Sequence, residues 1–236
     1  MAASPDIRAA FRLAPVFSAL PESVLVELSR RARVVELDAH DVLWREGEQA
    51  RAIGLVLMGR VAIERGRTHR KVMVNVAGAN DLVGEVAFSL GAAYQFDVRC
   101  LRKARVALVP AAELRAVLRQ SPELAVALAF ELAQEVLRLT RRLEALSAGS
   151  VTQRLARVLV GLTERFGTPF PGGTLMPVRL RREDLAALAA TTIESASRQI
   201  SAWKKQGVLV PQPFGFLITD VQRLRELSDE ADLTRG

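Results

Sequence analysis

The spacing of apolar residues changes once along this chain, near Ala111, and that change limits the folds open to it. From Val34 to Val109 the apolar runs are short and close together: Val34-Val35, Val42-Leu43-Trp44, Ile53 to Met58, Val61 to Ile63, Val72 to Val76 and Val106 to Val109. Turn formers stand between them: Asp38, Glu46-Gly47-Glu48, Gly59, Gly66, Gly78, Asp81 and Gly84. Such spacing predicts a compact antiparallel barrel or roll. Residues 1 to about 33 read as helical, broken at Pro15 and Pro21. After Ala111 the period becomes helical. Ser121-Pro122-Glu123 offers a helix start, with Ser as cap and Pro in the first helical position. No Gly or Pro follows until Gly149. Ala125, Ala129, Leu132, Val136, Leu139, Leu143 and Leu146 fall at alternating gaps of four and three, a heptad seam. Leu124, Leu128 and Leu137 form a second stripe. Two readings of this helix are open. One stripe packs on the roll and the seam meets an identical helix, or the whole helix is buried on its own domain.

Ser147 to Ser150 reads as a hinge, followed by an amphipathic helix over Val151 to Phe166 and a Gly/Pro loop over Gly167 to Gly173. Leu180 to Val210 then holds two short helical patterns joined by a tight turn. Leu185, Leu188 and Ala189 make the apolar seam of the first, and Ile193, Ala196, Ile200 and Trp203 that of the second, with Gly207 as its stop. The second helix carries Glu194, Ser197, Arg198, Ser201 and Lys205 on its other face. A short helix with one buried side and one polar side suits the DNA major groove. Val208 to Val210 and Phe214 to Ile218 predict a β-ribbon, or wing, and a last helix starts at Asp220. The expected fold class is therefore α+β: an N-terminal antiparallel β-roll, a long dimerisation helix and a C-terminal winged helix-turn-helix. The expected domains are residues 1–118, 119–148 and 149–236.

Bulk properties agree with a DNA partner. The formal charge is +7, which favours polyanions. Residues 149–210 hold 9 Lys/Arg against 4 Asp/Glu, whereas residues 1–148 hold 21 against 17. The excess is denser around the helix pair, although charge alone does not identify a DNA binder. No apolar run is long enough for a membrane span, and the start lacks the pattern of a secretion signal. Cys100 is the one cysteine, which excludes an internal disulfide and fits a reducing cytoplasm. An enzyme is not expected. Both histidines, His40 and His69, lie in the predicted roll, and no nucleophile elbow, phosphate loop or zinc motif occurs.

Four segments, in order and spacing, resemble the Crp/Fnr family of bacterial transcription regulators over almost the full length. They are HDVLWREGEQARAIGLVLMGRVAI (His40 to Ile63), DLVGEVAF (Asp81 to Phe88), the long helix, and the helix pair with its wing. The resemblance implies a homodimer that binds double-stranded DNA, with RNA polymerase as a further partner. In cyclic nucleotide binders of the family a Gly-Glu pair is followed about ten residues later by an arginine that neutralises the phosphate. Gly84 and Glu85 are present here, but the downstream segment is Ala93-Tyr94-Gln95-Phe96-Asp97. The resemblance thus places an effector pocket at Gly84, Glu85, Tyr94, Gln95, Arg99 and Thr140. It also implies that cyclic AMP is not bound in the usual way, since Asp97 would repel a phosphate. Thr140 has a second reading as an exposed helix threonine. An iron–sulfur cluster needs four cysteines and is excluded on ligand count. Haem through His69 or His40 stays open, as do another small-molecule effector and effector-independent binding.

By the same resemblance, Glu194, Ser197 and Arg198 match an E-x-x-S-R pattern. Arginine there donates to guanine, glutamate accepts from cytosine N4, and serine approaches thymine or phosphate. Ile193 stands where relatives with arginine read one more guanine, which implies a TTGA-like half-site. Arg181, Thr191, Thr192, Ser201, Lys204 and Lys205 are the implied phosphate contacts. Thr191 to Glu194 also reads as a capping box in which Glu194 closes the helix start.

Overall fold

The computed structural model describes residues 5–18, 20–66, 72–147 and 149–229, and only the backbone of residues 5, 6, 138 and 141–147. Three helices, α1 (Pro5–Leu13), α2 (Pro15–Ser18) and α3 (Glu22–Arg31), open the chain. Their breaks fall at Pro15 and Pro21, as proline geometry requires. The roll follows: β1 (Arg33–Leu37), β2 (Val42–Trp44), β3 (Ala52–Arg65), β4 (Val72–Ala77), β5 (Leu82–Val83), α4 (Glu85–Leu90) and β6 (Asp97–Pro110). The sheet runs β1-β6-β3-β4, with β2 on β6 and β5 on β3.

β3 joins two apolar runs that the sequence separates at Gly59. The strand does not turn there. It bends through register shifts against β6 at Val56/Met58 and Gly59/Val61. Gly59 has φ +85°, and a Cβ at that position would lie on the carbonyl oxygen of Lys103. A bulge with a close backbone approach requires glycine, and this is why a turn former sits inside a long strand.

Two apolar clusters form in this half. Trp44, Val56, Val61, Tyr94, Val98, Cys100 and Val106 fill the roll. Phe11, Phe17, Leu28, Ile53, Leu55, Val109 and Leu114 join the opening helices to the other side of the sheet, with α5 (Ala111–Gln120) and the start of α6 (Pro122–Ser147). Leu124 and Leu128 of α6 are buried in that second cluster.

Close contacts divide the chain into two units, and the boundary falls inside α6, between Arg138 and Leu139. The C-terminal unit contains α7 (Val151–Phe166), β7 (Thr168–Phe170), β8 (Gly173–Met176), α8 (Arg182–Leu188), α9 (Ile193–Lys205), β9 (Leu209–Gln212), β10 (Gly215–Ile218) and α10 (Val221–Asp229). Ser150 caps α7 in a reciprocal capping box with Gln153. The ribbon has four strands in the order β7-β8-β10-β9 rather than two. The expected Gly/Pro loop supplies β7 and the start of β8, because glycines at 172 and 173 with φ +84° and +151° let the chain reverse between them.

Candidate nucleic-acid interface and effector site

The helix pair folds as its apolar spacing dictates. Leu185, Leu188 and Ala189 are buried, and so are Ala196, Ile200 and Trp203. Ile193 departs from the expected seam and is 44% exposed. It occupies the first turn of α9, one turn before Ala196, where the seam runs out. Gly207, with φ +72°, stops the helix in the left-handed conformation that favours glycine.

The opposite side of α9 is open. Glu194, Arg198, Ser201, Lys204 and Lys205 are exposed, and Ser197 is half-buried. Glu194, Arg198, Ser201 and Lys205 follow at spacings of four, three and four, so they line up along one face. The helix start differs from the expected box. Thr192, not Thr191, is the cap: its Oγ1 accepts the backbone N–H of Ser195 at 3.1 Å. Glu194 therefore sits one residue too early to close the box. Its own backbone N–H and the Thr192 hydroxyl hold its carboxyl below the usual range, with Arg198 adding to the effect. A carboxylate that stays ionised is the acceptor that cytosine N4 requires. Arg198 Nη2 donates to Ser195 Oγ at 3.3 Å, folded back along its own helix.

The implied phosphate contacts divide into two groups. Ser201, Lys204 and Lys205 are exposed on α9. Arg181 instead grips buried Asp184 through Nη2 at 3.0 Å and Nε at 3.2 Å. The Thr192 hydroxyl is engaged in the cap, and Thr191 is half-buried with its N–H on the Ala186 carbonyl at 2.9 Å.

Inside the roll, Gly84 and Tyr94 of the implied effector residues meet, and Arg99 does not join them. Gly84, φ +83°, begins α4. A Cβ there would lie 3.0 Å from the ring of Trp44 and 3.1 Å from that of Tyr94. The two rings are buried and stacked, with centroids 4.2 Å apart and planes 4° apart. Tyr94 Oη donates to the Ala52 carbonyl at 2.7 Å, and burial pushes its phenol pKa up. Arg99 is not available to this interior. Side chains alternate along a strand, and Val98 and Cys100 point into the roll, so Asp97 and Arg99 point away. Arg99 Nε donates to Glu64 Oε2 at 3.0 Å, and Asp97 Oδ1 accepts the Glu46 N–H at 2.7 Å. The expected placement of Asp97 is therefore corrected: it points away from the interior beside Gly84, which is occupied by aromatic rings. Gln95 Nε2 bonds the Ala93 carbonyl at 2.6 Å, and Thr140 is exposed on α6. No local signal marks Trp44 as the residue that fills this space, because an aromatic residue in an apolar run reads only as core.

His40 is exposed, with Nδ1 3.4 Å from Arg99 Nη1. His69, the other histidine considered for haem, lies outside the described residues. Among the described residues no group of His, Cys, Asp and Glu could hold a metal ion. No helix among them is long and apolar enough to cross a membrane.

Along α6, Ala125 and Ala129 are exposed and Leu132 is half-buried. Val136 is 62% and Leu139 48% exposed. Among the described side chains of this helix, Leu124 and Leu128 are buried on their own domain. Leu137, expected beside them, is exposed, as are Val126 and Phe130, which the heptad pattern passes over. The side chains of Leu143 and Leu146 lie outside the described residues.

Comparison with known proteins follows the same division. The family model for the cyclic nucleotide-binding domain matches residues 34–121, and that for the Crp-like helix-turn-helix domain matches residues 153–227. The chain is 23% identical to a CRP-like cAMP-activated global transcriptional regulator of Mycobacterium tuberculosis over 212 residues, 89% of this chain and 95% of the relative. FixK2 from Bradyrhizobium japonicum has a similar structure, with a TM-score of 0.72 and 20% identity over 85% of this chain and 98% of that one. The c-di-GMP responsive global regulator CLP of Xanthomonas campestris gives a TM-score of 0.70 and 20% identity, covering 85% and 100%. These structural likenesses show a shared fold.

Proposed function

The chain belongs to the Crp/Fnr family of DNA-binding transcription regulators, and from that premise we propose that it binds a palindromic operator of TTGA-like half-sites as a homodimer, without cyclic AMP in the usual contacts. The observation that carries the reading is the outward face of α9. Glu194 and Arg198 are exposed together there, over a helix whose other side is anchored by Trp203. Arg198 reads guanine and Glu194 accepts from cytosine; Ile193, apolar and exposed, adds no guanine contact. Ser201, Lys204 and Lys205 supply phosphate contacts that orient the helix without choosing sequence. The seam of α6 supports the homodimer. An exposed apolar line at heptad spacing is the surface that a second copy covers, and a two-fold pair presents two reading helices to one palindrome. RNA polymerase is the proposed partner at the promoter.

The Trp44–Tyr94 stack supports the second half of the proposal. Tyr94 lies in the segment where nucleotide-binding relatives place their phosphate arginine, and Arg99 is held by Glu64 on the other side of the strand. A phosphate beside Gly84 would meet aromatic carbon instead of a cation, which leaves its charge uncompensated. The test is fluorescence anisotropy on a palindromic duplex with two TTGA half-sites and on a scrambled duplex, each with and without cyclic AMP, alongside titration calorimetry. The expected result is preference for the palindrome at two chains per duplex, unchanged by the nucleotide, and no saturable heat. Equal affinity for both duplexes overturns the operator assignment. Micromolar cyclic AMP affinity overturns the effector assignment.

A further inference from the structure

The turn between α8 and α9 has a backbone that its residue does not favour. Ala190 has φ +46°, in the left-handed region where a Cβ crowds the carbonyl. The carbonyls of Leu185, Ala186 and Ala187 near the end of α8 accept the N–H groups of Ala189, Thr191 and Ala190. The carbonyls of the turn itself, on Ala189 and Ala190, meet one side chain. Arg154, in the first turn of α7, donates from Nε to the Ala189 carbonyl at 3.0 Å and from Nη2 toward the Ala190 carbonyl at 3.5 Å. Its Nη1 donates to the Gly149 carbonyl in the hinge at 2.8 Å. A guanidinium is the cation whose planar fork can hold three carbonyls at once, and a positive charge suits a helix C-terminus. Two residues earlier, Thr152 Oγ1 donates to Gln199 Oε1 on α9 at 2.8 Å. The start of α7 therefore holds both the entrance to the reading helix and its flank.

We propose that Arg154 is a positioning residue for sequence reading: it fixes the strained turn before α9 to the hinge, with Thr152–Gln199 as a second tie. The proposal rests on α9 being the DNA-reading helix. It assigns a basic residue of this unit to a role other than phosphate contact, because its donors are directed at protein carbonyls. Two consequences follow from that geometry, and a phosphate contact would behave differently. Loss of the fork loosens the pose of α9, which lowers sequence selectivity more than overall affinity. Loss of a phosphate contact would instead weaken every duplex and lower the salt slope by about 1. Glycine at position 190 adopts the left-handed turn without a Cβ penalty, so it lessens the need for the latch.

The experiment uses the full-length chain and the duplex it selects from a randomised pool, with a scrambled duplex as reference. Anisotropy is read across a salt series for wild type, Arg154→Ala, Arg154→Lys, Ala190→Gly and the Arg154→Ala/Ala190→Gly double variant, and thermal unfolding is followed for each. For Arg154→Ala the ratio of selected to scrambled affinity is expected to fall about tenfold with the salt slope unchanged. Arg154→Lys keeps the charge but not the fork, and it is expected to lose part of the ratio. Ala190→Gly is expected to restore much of the ratio in the double variant. If Arg154→Ala does not fold, the Lys variant and its Ala190→Gly pair decide the matter. A selectivity equal to wild type in Arg154→Lys, or a lower salt slope with selectivity kept, overturns the assignment alone. A wild-type chain that selects no duplex overturns the DNA-reading premise and this assignment with it.

Discussion

The two halves of this molecule treat their functional positions in opposite ways. In the C-terminal unit, polar side chains with no core to enter stand outward on α9, above a fully packed apolar side. In the roll, the place beside Gly84 is occupied by the chain's own Trp44 and Tyr94. One site is kept open to a partner and the other is closed by packing. The two arrangements depend on different residues, so a substitution in one need not disturb the other.

The strongest way to break the contrast is to remove the support beneath the open site. Trp203 is 1% exposed, and Trp203→Ala should cost about 3–5 kcal/mol of stability by chemical denaturation. A loss under about 1 kcal/mol would mean that α9 is not anchored by that side chain. Next is the open face itself. Arg198→Ala should lose about 1–3 kcal/mol of discrimination at one base pair, measured against a panel of single-base operator variants. Lys204→Ala should weaken all of them alike, and an unchanged base preference in the Arg198 variant would argue that the arginine is only solvated.

The closed site should respond to a smaller change. Tyr94→Phe keeps the stack and removes the hydroxyl on the Ala52 carbonyl, which should cost about 1 kcal/mol in unfolding experiments while operator selectivity stays as in wild type. A gain of cyclic AMP binding on so small a change would show that the hydroxyl, not the ring pair, closes the site. The smallest effect concerns pH. The carboxyl of Glu194 is depressed, so its ionised contact is complete above the ordinary glutamate value of about 4.3 and is lost only as pH falls through the lower folded value. Preference at the paired cytosine should persist in mild acid, and Thr192→Val should shift its loss to higher pH.

Much of this was legible in the residues, and the misses share a cause. The change from strand to helix, the buried positions Leu185, Ala196, Ile200 and Trp203, and the outward Glu194 and Arg198 follow from local period alone. Long-range pairing was not legible. β6 begins at Asp97, amid the charged stretch of Arg99, Arg102, Lys103 and Arg105, and it is a strand because β1, β2 and β3 all pair with it. The same holds for the site. That Arg99 meets Glu64, that Arg181 meets Asp184 and that Trp44 lies on Tyr94 depend on which faces the fold brings together. Arg154 was missed although Ala190 stands at a turn where glycine would be easier, a local oddity that signals an external constraint.

The four-stranded ribbon carries a separate consequence. β8 and β9 both pair with β10, so the polypeptide leaves the sheet at Met176 and re-enters it at Leu209, with everything between them held at both ends. The intervening stretch, α8 and α9 included, is in effect an excursion from a continuous sheet. A segment bounded in that way is an exchangeable cartridge. Substituting the corresponding stretch of another regulator would alter which operator is addressed, while the ribbon and the roll keep their own strand registers.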